Sequence, residues 1–322
     1  MQNPPISFEE VKKMLAKPSI ASIKSWLVSQ GITLTANTKD ALAERVLKVL
    51  EDGKISESQL QAGLLEIEEC GGKRIHLFRI EPTSKNHKTI QKQMTSLSVV
   101  FSAVRVHAPS SVTGTKLVYI TDDGITIRAK WAEKHTKYVS QLPLLSYRTE
   151  HPIKIVVLDY NRKTGVVQLR YDKPERGHPH GTNGRPSKDE YFLHFKNVVE
   201  AMFGITLDAV ELRPSLDKII NAKPTLVEVA LNEQLTDDGL IIKVSSKVKG
   251  KDIRSGKDWD AMAKYGAPVR THEVESLNWL SAPSKTALSR RVFTHIDGRA
   301  SFVRFDAACH EAEINYVLSH LV

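Results

Sequence analysis

The stretch that decides the fold of the N-terminal part reads IASIKSWLVSQGITLTANTKDALAERVLKVL and spans residues 20–50. In its first half, Ile20, Ile23 and Leu27 recur at helical spacing, and a glycine follows where a helix would end. In its second half, Thr38 is a suitable N-cap for another helix. The apolar positions of that second helix are Leu42, Val46, Val49 and Leu50. The pattern predicts two short helices that share one small core.

The outer faces of these two helices are basic. The basic residues are Lys24, Lys39, Arg45 and Lys48. The first three of these cations, together with Ile23, Leu27, Gly31-Ile32, Leu42 and Val46, form a pattern that resembles a SAP-type helix-extended loop-helix module. The resemblance implies that the start of the second helix and nearby cations hold DNA phosphates, because helix-end N–H groups and cations both attract anions. The alternative is an ordinary helical hairpin without a ligand.

Composition places the chain among globular proteins. It has 322 residues, with 41% hydrophobic and 26% charged residues, which is enough for two or three domains. No run reaches the roughly 18 apolar residues of a membrane helix, and residues 1–5 lack the features of a secretory signal. The two cysteines, Cys70 and Cys309, are far apart in the sequence, which favours a reduced compartment. We therefore expect an intracellular protein, in the cytoplasm, nucleoid or nucleus.

The hydrophobic period changes along the chain. A helical pattern with a Ser56–Gln59 capping box fills the first part and ends near residue 72. Strand patterns follow, paired around turns such as Asp122-Asp123-Gly124. The pattern predicts an α+β fold: a helical head over residues 1–72, a β-rich central domain with helices over 73–224, and a C-terminal α+β domain over 225–322.

Further elements complete this prediction. A loop rich in proline, glycine and histidine covers residues 173–187, and an amphipathic helix follows from Asp189 to Phe203. Residues 97–107 are predicted to run from helix into strand. A helix over residues 307–321 is expected to close the chain.

The net charge of +9 favours an acidic partner, with nucleic acid first. Most of it lies near the stretch 85–137, where nine basic residues stand against the three acids Asp122, Asp123 and Glu133. The nine are Lys85, Lys88, Lys92, Arg105, Lys116, Arg128, Lys130, Lys134 and Lys137. The stretch also holds Trp131 and Tyr138, which are able to pack on sugars or bases. We expect it to contact DNA phosphates.

One predicted strand sharpens this expectation. Because side chains alternate along a strand, Arg128 and Lys130 share one face while Ile127 and Trp131 share the other. Two cations on one sheet face suit a phosphate backbone. The alternative is a solvated sheet face with no ligand.

The order of helical head, capping-box helix, first strand and basic sheet resembles the centromere protein N family over roughly residues 20–140. Members of that family bind nucleosomal DNA through a basic groove between a helical head and a β-rich middle. The resemblance implies that the head and the sheet of this chain form one DNA-facing groove.

Motifs for catalysis are incomplete. Residues 250–258 (GKDIRSGKD) have five residues between the glycines, and Asp258 replaces the Ser or Thr of a phosphate-binding loop. His178-Pro179-His180 lacks fixed metal-ligand geometry. A metal-dependent nuclease needs a strand Asp followed by Glu-x-Lys, and the Glu10-Val11-Lys12 sequence lies in a predicted helix instead. We expect no catalytic residues, no metal and no cofactor.

The sequence thus predicts a non-catalytic protein, an adaptor or recruitment factor. It would bind double-stranded DNA along the phosphate backbone with weak sequence preference, and no membrane. A protein partner in a larger complex is compatible with this prediction. Two alternatives stay open: a protein-interaction subunit whose basic surface meets an acidic protein, and a divergent metal-dependent nuclease.

Overall fold

A helical head and one large antiparallel sheet make up the computed structural model. The predicted α+β class is therefore confirmed. The predicted loop 173–187 and the predicted turn at 237–239 lie outside the described residues, within which no helix is long and apolar enough to cross a membrane. The described residues are 6–81, 83–98, 104–141, 146–172, 188–222, 226–235, 241–246, 251–257, 259, 271–280, 288 and 290–322.

Eight α-helices lie in the described part of the chain. They are α1 (Phe8–Met14), α2 (Ile20–Ser29), α3 (Lys39–Glu51), α4 (Glu57–Cys70), α5 (Ser84–Ser98), α6 (Lys188–Phe203), α7 (Arg213–Asn221) and α8 (Glu311–Ser319). The strands are β1 (Arg74–Arg79), β2 (Thr115–Asp122), β3 (Thr126–Lys134), β4 (Lys137–Gln141), β5 (Ser146–Glu150), β6 (Ile153–Asn161), β7 (Val166–Tyr171), β8 (Asp208–Ala209), β9 (Val227–Leu235), β10 (Ile241–Ser245), β11 (Thr271–Trp279), β12 (Val292–Asp297) and β13 (Phe302–Phe305).

The head forms where the sequence predicts it, because local capping and apolar spacing agree. The Thr38 side chain accepts a hydrogen bond from the backbone of Ala41 at the start of α3. Ser56 and Gln59 form the predicted capping box at the start of α4. Gly63 allows α2 to approach α4 closely, since a Cβ there would lie 2.0 Å from the Trp26 ring. The head core therefore consists of α1 to α4.

The large sheet is antiparallel throughout. Its strand order is β10-β9-β11-β12-β13-β1-β7-β6-β3-β2, with β8 paired to one end of β1. Because β1 pairs with β13, the sheet continues across the predicted domain boundary at residue 224. The strands β4 and β5 pair only with each other among the described strands. We call this pair the β4–β5 ribbon.

Helices cover both faces of the sheet. The α5/α6 face carries Ile127, Trp131 and Leu158, which pack against Ile90 of α5 and Phe195 of α6. On the opposite face, which we call the α7/α8 face, Ile75 and Leu77 of β1 and residues of β9, β11, β12 and β13 pack against α7 and α8. The head approaches the sheet from the α7/α8 face, since α4 contacts both β6 and α8.

Some elements of the fold were not predicted from the sequence. Helix α5 was not expected, although Thr83 caps its first turn and the partly or fully buried Ile90, Met94 and Leu97 follow at helical spacing. Strands β4, β5 and β11 were also missed. Of the helix running into a strand that was predicted over residues 97–107, Leu97 and Ser98 lie in α5, whereas the strand is wrong for residues 104–107; residues 99–103 lie outside the described residues.

Candidate nucleic-acid interface

Strand β3 has the predicted alternation but not the predicted exposure. Ile127 and Trp131 enter the core beneath α5 and α6, and Arg128 and Lys130 point to the opposite face. That face is covered by the head. Arg128 is 8% exposed and Lys130 is 0% exposed. The prediction that these two cations are offered to DNA is therefore wrong.

These cations belong to a buried network of charges that joins the head to the sheet. We call it the junction network. It contains four cations and four acids, so that its formal charge is zero. The cations are Arg105, Arg128, Lys130 and Arg170, and the acids are Glu68, Glu69, Asp159 and Glu311.

Arg128 lies at the centre of the junction network. Its Nη2 donates to Oδ2 of Asp159 at 2.9 Å, and its Nη1 donates to Glu69 at 3.3 Å and to Glu311 at 3.2 Å. Burial alone would lower the pKa of Arg128, but the charge of Asp159 and the hydrogen bond to Glu311 raise it above its ordinary value. All three of its guanidinium nitrogens are engaged within the protein.

Lys130 and Arg105 complete the connection to α4. The Nζ of Lys130 lies 3.0 Å from Glu68 and donates to the carbonyl of Val106 at 3.0 Å. Arg105 is 35% exposed and donates to Glu69. Burial would raise the pKa of Glu68, but a hydrogen bond with His107 and the charge of Lys130 lower it to about 2. Because Arg105 donates to the buried Glu69, it is also a structural residue.

Glu311 brings α8 into the same network. Its carboxylate accepts hydrogen bonds from Arg128, and Nη1 of Arg170 lies 3.7 Å away. Burial would raise the pKa of Glu311, but the hydrogen bond and the charge of Arg128 lower it to about 2, helped by Arg170 and Arg105. Buried charges are tolerated only when they are paired in this way. The network can therefore position α4, β3 and α8, and all three guanidinium nitrogens of Arg128 at its centre are engaged within the protein.

The acids of the network were missed at the sequence level, although a signal exists. Asp159 and Arg170 each follow apolar residues in a largely apolar strand, and both are buried, at 5% and 1% exposure. A charge at such a position needs a charged partner. Asp159 and Arg170 are charged partners of each other, since Arg170 Nη2 lies 2.8 Å from Asp159. The sequence did not indicate the third partner, Glu311.

Of the predicted cations of the head, Lys39 is held by backbone carbonyls, whereas Arg45 and Lys48 are exposed. Lys39 donates to the carbonyls of Leu15 and Pro18, and burial lowers its pKa. Arg45 donates to Thr35 at 2.6 Å. Lys24 is half-buried, whereas Lys48 is exposed.

The first turn of α3 is a poor anion site for a second reason. It also carries Asp40, which pairs with Lys12 at 2.9 Å. A carboxylate at that helix end opposes the binding of a phosphate.

The cleft between the head and the sheet does not have the features of a DNA groove. Its volume is about 650 Å³, which is the size of a small-molecule pocket. Its charged lining includes Lys17 but also Glu68 and Asp172, with His107 and His151. The predicted basic groove between head and sheet is therefore wrong, because α4 closes onto β3 through paired charges.

Helix α5 carries a different set of cations. Lys85, Lys88 and Lys92 are exposed and recur at i, i+3 and i+7, so they share one side of the helix. Ile90 and Met94 are buried on the opposite side. The helix contains no acidic residue. We call these three residues the α5 lysine row; among the described contacts, none of its members has an ion pair.

The remaining predicted cations lie near the β4–β5 ribbon. Lys116 and Lys134 are exposed and are diagonal neighbours, since Lys116 pairs with Ala132 of β3. Lys137 begins the ribbon and faces Glu150 across it. These residues and the α5 lysine row do not line one groove, because Lys116 and Lys134 lie on the α7/α8 face and α5 covers the other face.

A second cleft, of about 550 Å³, opens beside the junction network. Its lining combines Arg79, Arg128 and Arg170 with Asp159 and Glu311. Its cations are thus largely matched by acids. Within the described residues, no three His, Cys, Asp or Glu side chains come together as metal ligands would.

The sequence matches no protein-family model, and none of the curated proteins compared with it is significantly similar.

Proposed function

We propose that this protein is a non-catalytic DNA-binding protein that contacts the duplex backbone through the α5 lysine row. The observation that carries the proposal is the row itself: three exposed cations on one side of an acid-free helix. Lys85 and Lys92 are separated by about 10 Å along the helix at 1.5 Å per residue. Duplex DNA carries one charge per about 1.7 Å of its axis, so several phosphates lie within reach of the row.

The surface around the row supports a polyanion over an apolar partner. Within the described part of the chain, the large exposed apolar side chains include Val104, Ile125 and Leu193, but none of them lies on α5. A protein interface depends on apolar side chains that become buried when the partner binds, whereas contacts to phosphates need only cations.

The polar groups beside the row are engaged inside the protein. Asn86 donates to the carbonyl of Glu81 at 2.8 Å, and Gln91 accepts from Arg162 at 3.0 Å. Sequence is read mainly by hydrogen bonds to base edges, often from amide or arginine side chains. We therefore expect weak sequence preference.

The test is fluorescence anisotropy of a labelled duplex at several salt concentrations between 50 and 200 mM. The variant Lys85→Gln/Lys88→Gln/Lys92→Gln removes three charges at similar side-chain length. Each lost phosphate contact lowers the slope of log affinity against log salt by about 0.9, so we expect the slope to fall by about 2.7.

The matched control is Lys116→Gln/Lys134→Gln/Lys137→Gln, which has the same change in net charge at a different place. We expect it to leave most of the slope intact. Equal losses of slope in both variants would indicate an effect of net charge alone. An unchanged slope in the α5 variant would show that the row is not the DNA-binding site.

A second candidate function is a protein-interaction subunit, and the β4–β5 ribbon favours it. Tyr138 is 62% exposed on this ribbon, and exposed tyrosines are enriched at interfaces. Poly-glutamate as a competitor in the anisotropy assay separates the two functions. Strong displacement of DNA by poly-glutamate at equal charge concentration would favour an acidic protein as the partner. Weak displacement supports DNA as the partner. Degradation of plasmid in Mg²⁺ or Mn²⁺ would instead indicate the nuclease alternative.

A further inference from the structure

The only two cysteines of the chain meet at the junction of head and body. Cys70 ends α4, and Cys309 lies just before α8. Gly71 and Ala308 form an isolated antiparallel bridge. Because the two segments run in opposite directions, the neighbours Cys70 and Cys309 are also opposite each other. Both thiols are free and lie in the same buried core cluster.

The Gly71–Ala308 bridge puts Cys70 and Cys309 at the next position of the same backbone pairing. Directly opposite positions of an antiparallel pair place the Cβ atoms about 4.5–5.5 Å apart. A disulfide needs about 3.5–4.5 Å, so an adjustment of roughly 1 Å is enough. Burial is the main cause that raises the pKa of Cys309 to about 12, with Glu313 acting in the same direction and Arg290 opposing it.

Each sulfur also has a guanidinium beside it. Nη1 of Arg170 lies 3.4 Å from Sγ of Cys70, and Nη2 of Arg290 lies 3.9 Å from Sγ of Cys309. Cations favour the thiolate that reacts. Burial nevertheless prevails for Cys70, raising its pKa to about 12. Oxidation is therefore expected to be slow at neutral pH and faster as the pH rises.

We propose that Cys70 and Cys309 form an intramolecular disulfide when the protein meets a peroxide, and that this bond locks the head onto the body. The thiolate of one cysteine attacks a peroxide oxygen, giving a sulfenic acid and releasing hydroxide. The other thiolate then attacks the sulfenic sulfur, forming the S–S bond and releasing a second hydroxide. The two thiols lose two electrons and two protons, and hydrogen peroxide becomes two waters.

The bond would join the two helices that supply acids to the junction network. Cys70 is the residue after Glu69 on α4, and Cys309 lies two residues before Glu311 of α8. A covalent link at this point would hold both carboxylates beside Arg128. Separation of the head from the sheet would then require the bond to break.

Equilibration of the full chain in glutathione redox buffers tests the proposal. The fraction of protein with a Cys70–Cys309 bond is measured by acid quench, alkylation and peptide mapping, for native protein and for protein in urea. A disulfide that fits a native structure typically stabilises it by about 2–4 kcal/mol. We therefore expect an effective thiol concentration about 30- to 1,000-fold higher in the native protein than in urea.

The variants Cys70→Ala and Cys309→Ala serve as controls, since neither can form the bond. Peroxide treatment should raise the melting temperature of the wild type, and dithiothreitol should reverse the rise. Neither variant should show it. An effective concentration no higher in the native protein than in urea, or mixed disulfides with glutathione alone, would overturn the proposal.

Discussion

Helix α5 and strand β3 each contain three basic residues, but most of these cations have opposite surroundings in the two elements. Lys85, Lys88 and Lys92 of α5 are exposed and free of ion pairs among the described contacts. Arg128 and Lys130 of β3 are buried in the junction network. The difference lies in the acids that the fold brings to each place: α5 contains none, whereas β3 meets acids from α4, β6 and α8. A basic stretch therefore predicts a positive surface only where no distant acid is brought against it.

The largest expected effect comes from removing the central cation of the junction network. Arg128→Met keeps much of the side-chain volume but leaves Asp159, Glu69 and Glu311 without their shared partner. Loss of one member of a buried ion pair typically costs about 3–5 kcal/mol. We expect urea unfolding to show a loss of this size.

Lys88→Met on α5 is the matched control, since the same type of change at an exposed site should alter stability by about 0.5 kcal/mol or less. A loss below about 1 kcal/mol for Arg128→Met would mean that the network contributes little to stability.

A smaller effect is expected from acid. The pKa values of Glu68 and Glu311 are lowered to about 2 in the folded protein, below the ordinary value near 4.3. Groups with lowered pKa values stabilise the fold above their unfolded pKa and lose that contribution as the pH falls towards the folded pKa. Stability should therefore decline from about pH 5 to pH 2.

The variant Glu311→Gln isolates one part of that decline. Because residue 311 no longer titrates, the pH dependence should become shallower, and stability at pH 7 should fall by on the order of 2–3 kcal/mol. Unfolding in urea at a series of pH values measures both. Glu44→Gln, at an exposed position of α3, is the control for charge alone. A wild-type pH profile in Glu311→Gln would contradict the assigned role of Glu311.

The smallest expected effect on stability is that of the α5 lysine row. Lys85→Gln/Lys88→Gln/Lys92→Gln removes no buried contact, so the free energy of unfolding should change by about 0.5 kcal/mol or less. Calorimetry or urea unfolding measures this value on the same samples used for DNA binding. A large loss of stability would show that the row has structural partners. Weaker DNA binding by this variant would then reflect a damaged fold and not a lost binding site.

Local signals predicted the head and much of the sheet. The Thr38 cap and the Ser56–Gln59 capping box act within a few residues, and both are present. The Asp122–Gly124 turn joins β2 and β3 as expected, with Gly124 at φ 87°. Helix α5 was not predicted, although Ile90, Met94 and Leu97 recur in it at helical spacing.

The candidate site was predicted less well, for a physical reason. Alternation along β3 correctly separated Arg128 and Lys130 from Ile127 and Trp131. Alternation gives the face of a strand but says nothing about what covers that face. The covering elements are α4 and α8, whose acids lie far away in the sequence.

The sequence by itself determined where α3 and α4 begin, that β2 and β3 form a hairpin, and which side chains of β3 share a face, because these depend on neighbouring residues. Only the tertiary structure decided that Arg128 and Lys130 of β3 are internal, that the cations of α5 are external, and that Cys70 lies opposite Cys309. Burial and charge pairing depend on segments that meet only when the chain has folded.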